Sequence, residues 1–251
     1  MTTKRTQEPA VPTLVSVFAE MEAANSIEEL RKSFDEFVRE LGLTTFQLSE
    51  ITDPDNFPGT NLSFGTLPAA YIKQYWERGN DLFHDPMIRA ILSSNQPVRL
   101  RQMQTSHSPN KLEQQILEQR KKQGVQDGYG FPLKGRLNRL AMVTVHGDVS
   151  RFDRADLARI ELLCIMLYRR ATELTPLPEH LQIPKHAQLT TRERECLSWV
   201  AKGKTNWDIS QILMITERTV QYHVENACEK LGAGGRLQAV VIAARKLEII
   251  L

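Results

Sequence analysis

The side chains that could carry covalent or acid–base chemistry are present in this chain but are not arranged for it. Six histidines (His84, His107, His146, His180, His186 and His223) show no paired acid–base arrangement. The one local pair, His84 with Asp85, joins chain neighbours whose side chains point apart on a helix or strand. No serine or cysteine sits in a recognisable nucleophile elbow. Cys164, Cys196 and Cys228 are too far apart for a disulfide framework or for the close pair with which a zinc site begins. These patterns exclude an enzyme, a metal centre and a resident cofactor as expectations.

Two other groupings offer binding chemistry. Between Pro68 and Leu100 stand Tyr71, Tyr75 and Trp76, followed by Asp85-Pro86. Aromatics at this spacing serve either a core or a binding site. A carboxylate near an aromatic-lined core needs a donor, which an amide ligand could supply; the plainer task for Asp85 is to cap a helix beginning at Pro86. Further on, Arg218, Gln221, Tyr222, Glu225 and Glu229 share one side of a helix. Gln221 can pair bidentately with adenine and Glu225 can accept from cytosine N4. Arg218, Lys204, the hydroxyls of Thr205 and Thr219, and the helix N-termini suit phosphate. The alternative for this side is an ordinary solvated helix face.

The elements that must position these groups are legible in outline. The chain has 251 residues, 41% hydrophobic and 25% charged, enough for two domains with real cores. Its longest apolar stretch, around Leu162 to Leu167, is too short for a membrane span, and Met1 to Pro9 has no apolar signal core. The expectation is a cytoplasmic protein with no membrane partner. Thr175 to Gln188 (TPLPEHLQIPKHAQ) carries three prolines and keeps no periodicity, which predicts a linker at 175–188 between domains at 1–174 and 189–251.

In the first domain, Leu14, Val17, Phe18 and Met21 follow helical spacing. Ser26 with Glu29 reads as a capping box for a helix that buries Leu30, Phe34, Phe37 and Leu41 and stops at Gly42. Thr44 to Ile51 alternates as a strand with Phe46 and Leu48 on one face. Helices are expected after Pro68 and Pro109, and a short strand at Gln96 to Leu100. Gly128 to Leu133 and Arg139 to His146 form a strand pair across a turn with Gly135 and Asn138, and Asp153 caps a long final helix facing Leu157, Ile160, Cys164 and Leu167 inward. The fold class is α+β: an N-terminal α/β/α sandwich with a mostly antiparallel sheet, plus a C-terminal all-α helix-turn-helix domain.

That last domain starts a helix at Thr190 or Thr191, burying Leu197 and Val200 and broken by Gly203. Thr205 with Asp208 caps a short helix burying Ile209, Ile212 and Leu213, and Met214-Ile215 turns the chain. Thr216 then caps a helix to about Leu231 whose Val220, Val224, Ala227 and Leu231 face inward. From Leu189 onward nine Lys and Arg face seven Asp and Glu. One copy would therefore hold DNA weakly, and two copies on two half-sites would double the hold. The last helix offers the means, with Val240, Ala243 and Leu247 on one side and Leu237, Val241, Ala244 and Glu248 along another, which predicts a homodimer.

The run from Leu189 to Leu231, LTTRERECLSWVAKGKTNWDISQILMITERTVQYHVENACEKL, resembles the DNA-binding domain of the LuxR family of transcription regulators. Glu193, Leu197 and Gly203 stand where the family's motif has them, followed by KT, I, T-V, H and N at the expected spacing. Response regulators share this domain, but the acidic cluster of a receiver is missing; Asp53 and Asp55 lie in a Pro-rich loop that also lacks the glycine and distal glutamate of a calcium loop. The residues from Leu67 to Thr144 are instead similar to the signal-binding domain of LuxR-type quorum-sensing receptors, which recognise acyl-homoserine lactones. That resemblance implies that Asp85 accepts from the signal's amide N–H, that Tyr71 stands for a tryptophan donating to the lactone carbonyl, and that Tyr75 matches an aromatic one turn later. It also implies that Gly128 precedes the strand-starting Pro132 and that Thr144 places a hydroxyl by the acyl chain. Leu67 stands where the family has a tyrosine and Leu100 where it has a tryptophan. Losing the hydrogen bond at Leu67 would cost about 1 to 3 kcal/mol if the acyl carbonyl stayed unpaired.

The resulting expectation is a ligand-responsive transcription regulator of quorum sensing. It would sense an acyl-homoserine lactone or related small amide and bind a palindromic operator in double-stranded DNA as a dimer, with RNA polymerase as a further partner. The alternatives are a regulator that binds DNA independently of ligand, or one that senses a non-lactone molecule from a host.

Overall fold

A computed structural model of the chain describes residues 14–51, 62–77, 85–103, 109–136, 140–177 and 189–250. Asp53, Asp55, His84, His107, Asn138, His180, His186 and most of the expected linker lie outside the described residues, as do the side chains of Tyr75 and Trp76. The chain divides into two compact units, with Leu177 onward in the second.

The first unit begins with α1 (Leu14–Ala23) and α2 (Ile27–Glu40), whose inward stripes bury Val17, Met21, Leu30, Phe34, Phe37 and Val38. Ser26 caps α2 by accepting from the Glu29 N–H at 3.1 Å, but Glu29 returns its carboxylate to the N–H of Asn25 at 2.8 Å, so the reciprocal bond of a capping box is displaced by one residue. Gly42, at φ 73°, turns the chain into β1 (Leu43–Ile51). Then come β2 (Ser63–Gly65), α3 (Ala69–Glu77), α4 (Pro86–Ser93), β3 (Val98–Arg99), α5 (Leu100–Met103), α6 (Lys111–Lys122), β4 (Gly128–Lys134), β5 (Leu140–Gly147) and α7 (Arg154–Leu174). The strand expected at Gln96 to Leu100 is only two residues long, because Leu100 already opens α5.

The five strands form one sheet in the order β2-β1-β5-β4-β3 with every neighbouring pair antiparallel. Strand alternation gives the sheet two different faces. Phe46, Leu48, Phe131, Val143 and Val145 point into a core shared with α1, α2 and α7, where Phe34 meets Phe46 edge-on at 4.8 Å between ring centres. The opposite face carries a smaller apolar cluster of Met87, Ile88, Ile91, Leu100, Val125 and Met142. α4 comes close to the sheet because Gly130 has no side chain: a Cβ there would fall 2.2 Å from Ile91 Cδ1. Sheet between two helical layers is the architecture expected from the element order.

The second unit holds α8 (Thr191–Ala201), α9 (Asn206–Leu213), α10 (Glu217–Leu231) and α11 (Arg236–Arg245). Thr190 and Thr205 both close reciprocal capping boxes, with Glu193 and Asp208. Met214 takes the left-handed conformation at φ 55° and sets the turn between α9 and α10. The core is Leu197, Val200, Ile209, Val220, Val224, Ala227, Leu231 and their neighbours. Ile212, expected inside, is exposed, and Leu213 is half-buried. The end of the chain also departs from expectation. α11 stops at Arg245 in a Schellman turn, Leu247 N–H to Ala244 O and Glu248 N–H to Ala243 O, which holds Leu247 at φ 56°. As a result Leu247 is exposed, Ala244 is buried, and Glu248 folds back to Arg194 at 2.8 Å. Among the described residues no helix is long and apolar enough to cross a membrane.

Candidate functional site

On the sheet face turned away from α1, α2 and α7, the strand registers assemble a polar floor. Gln47 lies opposite Thr144, which lies opposite Gly130; Thr45 lies opposite His146, which lies opposite Gly128; and Ser49 lies opposite Met142. At the edge, β2 sets Ser63 opposite Ser49 and Gly65 opposite Gln47. Gln47, Ser49, Thr144 and His146 are all buried. The Gln47 carboxamide donates to Ser63 Oγ at 3.1 Å and to Leu48 O at 3.0 Å, while the Ser49 and Ser63 hydroxyls lie 3.2 Å apart. His146 Nδ1 lies 3.0 Å from the Thr45 hydroxyl. Burial, followed by the positive charge of Arg120, lowers the His146 pKa from 6.5 to about 3, so the ring is neutral at physiological pH.

Above this floor lies a cavity of about 40 Å3. Its roof is Leu67 with Tyr71 and Ile72 from α3, Met87 from α4, Arg120 from the end of α6 and Val125 from the turn that follows it; its floor is Gln47, Ser49, Met142, Thr144 and His146. Aliphatic and aromatic walls over a few buried polar groups are the usual make-up of a small-molecule site.

Asp85 and Arg120 form the electrostatic centre. Asp85 is fully buried; one carboxylate oxygen caps α4 by accepting from the Met87 N–H at 2.8 Å, and the other accepts from Arg120 Nη2 at 2.6 Å. Four residues after Asp85, Arg89 pairs with Glu113, which lies seven residues before Arg120 on the same face of α6. The two ion pairs have opposite polarity, so α4 and α6 can engage in only one relative register. Removing either partner of the buried Asp85–Arg120 pair is strongly destabilising.

In the second unit, Arg218, Gln221, Tyr222, Glu225 and Glu229 are exposed along α10, opposite the buried Val220, Val224, Ala227 and Leu231. Gln221 Nε2 donates to Glu225 Oε1 at 2.8 Å, so the two groups best suited to base edges hold each other in the isolated chain. Lys204 and Thr205 are exposed at the start of α9, and Thr219, half-buried, lies 2.8 Å from the capping hydroxyl of Thr216. α10 is fastened to α8 by Lys230, which donates to Glu193. Burial of Glu193 is the largest single influence and would raise its pKa, but the hydrogen bond and charge of Lys230 together with the bonds from Thr190 outweigh it and hold the carboxyl below the usual range.

Of the ligand residues proposed from sequence, Leu67, Tyr71 and Thr144 line the cavity together. Asp85 sits behind Arg120. Leu100 is buried in the apolar cluster beside α4, and Gly128, at φ 149°, occupies a strand position where a Cβ would meet Val145 O at 2.0 Å; neither is among the described lining residues. Sequence reading did not single out Gln47, Ser49, Arg120 or His146 for the site. The signal for the first two was the alternation of Thr45, Gln47 and Ser49 against Phe46 and Leu48, a polar face on a strand flanked on both sides. For Arg120 it was a cation on the Glu113-Ile116-Arg120 stripe that α6 buries.

Residues 26–171 match the family model described as autoinducer binding domain, and residues 187–243 match that of bacterial regulatory proteins, luxR family. Transcriptional activator protein SolR of Ralstonia solanacearum is 32% identical over 186 residues, 72% of this chain and 75% of SolR. Transcriptional activator protein BjaR1 of Bradyrhizobium diazoefficiens is 29% identical over 229 residues, 88% of each chain. Among solved structures, Escherichia coli SdiA superposes with a TM-score of 0.59 at 21% identity, covering 95% of this chain and 98% of SdiA, a likeness of fold. SdiA has also been solved in complex with octanoyl-rac-glycerol.

Proposed function

The chain belongs to the LuxR family of bacterial transcription regulators, and on that premise we propose that its first unit takes up an acyl-homoserine lactone or related small amide and that two copies read a palindromic operator. Membership of the family makes it a ligand-responsive DNA-binding regulator and not an enzyme. The observation that carries the ligand reading is the cavity where Leu67, Tyr71 and Thr144 converge beside the Asp85–Arg120 pair. Tyr71 can donate to a lactone carbonyl. A carboxylate has about four acceptor positions, so Asp85 can accept an amide N–H beside its bonds to Met87 and Arg120.

A ligand larger than the cavity must spread α3 and α4 from the sheet, and it repays that opening with its own buried surface. Occupancy thereby stabilises the first unit by mass action. Gln221 and Glu225 are the base-reading residues; Arg218, Thr219, Lys204 and Thr205 hold phosphates; Tyr222 flanks them on the exposed face. Dimerisation through α11 doubles the phosphate contacts in the cytoplasm, where RNA polymerase is the further partner. The domain limits are 1–174 and 189–251 with the linker between.

The test is a thermal-shift screen of the full chain against acyl- and aryl-homoserine lactones, coupled to DNA capture from a random-sequence pool. A rise of several degrees with one class, together with enrichment of a two-fold symmetric site, is expected. Unshifted melting alongside intact DNA selection would point to ligand-independent binding and overturn the lactone reading.

A further inference from the structure

Resting on the reading of Lys204 and Thr205 as phosphate contacts, we infer that Arg236 is the positioning residue that sets their segment for the DNA backbone, acting from α11, the helix proposed for dimerisation. Its guanidinium straddles Thr205: Nη2 donates to Lys204 O at 3.0 Å and Nη1 to Asn206 Oδ1 at 3.2 Å. Arg236 opens α11 and Asn206 opens α9, so one side chain joins the first residues of two helices that lie 30 positions apart in the chain.

The segment between α8 and α9 needs such a partner. Residues 202–205 belong to neither helix, and Lys204 and Thr205 are exposed, so packing does not hold them. The amides on either side are tied down: Gly203, at φ 74°, donates to Val200 O at 2.9 Å, Lys204 donates to Trp199 O at 3.1 Å, and Thr205 donates to Asp208 Oδ2 at 2.9 Å. The Lys204 carbonyl stands between these amides, and among the described residues it accepts from Arg236. Fixing that carbonyl fixes the plane of the peptide joining Lys204 to Thr205, and with it the course of the backbone from which both side chains depart.

Helix stability does not account for a cation in this place. The guanidinium belongs to the first turn of α11, where Gly235 provides no side-chain cap, and it reaches the first residue of α9, so it faces the positive ends of two helix dipoles. Both of its acceptors are neutral groups, a carbonyl and a carboxamide. A DNA phosphate against Lys204 and Thr205 reverses the sign of that balance, because an anion is favoured by the same two dipoles and by the same cation. Since α11 is also the helix proposed to join two copies, the fork passes the spacing of the dimer to the phosphate grip of each copy.

The test measures DNA binding of the full chain by fluorescence anisotropy, with and without N-octanoyl-homoserine lactone, on an operator enriched from a random-sequence pool and on a scrambled duplex, across a salt series. Wild type is compared with Lys204→Ala, Arg236→Met and the double variant. Each single variant should bind about tenfold more weakly on both duplexes, with the salt slope reduced by about 1 per copy. The double variant should be no more than about threefold weaker than Lys204→Ala, because Arg236 acts through the contact that Lys204→Ala has already removed. Additive losses would make Arg236 an independent contact and overturn the inference. So would an Arg236→Met protein that binds like the wild type, or one that loses base preference, which would put its action on α10. Lys204→Ala binding like the wild type would overturn the phosphate reading and the inference with it, as would a wild type that binds neither duplex. Should Arg236→Met fail to fold by circular dichroism, Asn206→Ala removes one acceptor of the fork, and its loss of about threefold should vanish in the Lys204→Ala background; a loss that persists there overturns the inference.

Discussion

Replacing Asp85 by alanine is the perturbation whose outcome the structure specifies most closely, and it should do more than remove a ligand contact. Among the described residues the carboxylate bonds to the Met87 N–H at the start of α4 and to Arg120. An N-cap is worth about 1 kcal/mol. Breaking a buried ion pair from one side costs about 3 to 5 kcal/mol, because the surviving charge keeps its desolvation penalty, and the Arg120 side chain is only 8% exposed. One carboxylate serves both bonds, so the losses overlap, and the expected destabilisation is about 4 kcal/mol, a large share of the 5 to 15 kcal/mol typical of a folded protein. The double variant Asp85→Asn with Arg120→Met keeps a capping oxygen and removes both charges, and it should recover most of the loss.

Urea denaturation of the full chain, followed by circular dichroism and by tryptophan fluorescence, gives both numbers; replacing Trp76 by phenylalanine in every variant leaves Trp199 and Trp207 to report the second unit separately. A loss below about 1 kcal/mol for Asp85→Ala would refute the reasoning, as would a double variant no more stable than the single one. The result also decides how ligand-response data are read: an unresponsive Asp85→Ala protein implicates the carboxylate in signal contact only if the stabilised double variant is unresponsive too.

Three further outcomes are expected. His146 stays neutral in the folded chain down to about pH 3 but protonates near 6.5 when unfolded, so its stabilising effect is full above 6.5 and falls as pH drops from there towards 3. Between pH 7 and 5 the loss is about 2 kcal/mol, and His146→Gln should flatten that part of the pH–stability curve; parallel curves for the two proteins would contradict it. Gln221→Ala should relax preference at one base of each half-site by about 1 to 3 kcal/mol, measured by competitive selection, whereas a uniform loss on all sequences would make Gln221 a phosphate contact. Leu237 and Val241, 74% and 47% exposed on α11, form an apolar strip on the helix proposed for dimerisation, so Leu237→Glu should shift sedimentation towards monomer; unchanged sedimentation would move the interface elsewhere.

Local chemistry was legible wherever a residue signals through its own backbone. Asp85, Asp153, Thr190, Thr205 and Thr216 cap helices at the positions their spacing indicates, and the apolar stripe of α10 is buried as read. What was not legible depends on partners distant in the chain. Ile212 keeps helical phase with Ile209 but faces solvent, because a helix of eight residues has only one flank against α8 and α10. Leu247 does not continue the side that Val240 and Ala243 share, because a Schellman turn, here built without glycine, ended α11 two residues before it. The site was harder still: in the Arg120-Lys121-Lys122 run only the phase of Arg120 with Glu113 and Ile116 sets it apart, and its partner Asp85 comes from the placement of α6 against α4. Gln47 and His146 lie about a hundred residues apart, joined by the β1–β5 ladder.

If Gln221 and Glu225 read base edges as proposed, the bond between them bears on how the protein searches DNA. A reading helix whose amide and carboxylate satisfy each other travels sheathed: over random sequence it loses nothing by ignoring the bases, since no group waits desolvated for a partner. At an operator the pair must open, and the bases must replace a hydrogen bond that already exists as well as add another. Discrimination is then an exchange with a threshold, in which a half-matching site offers too little to open the pair and is left quickly, while a full match holds.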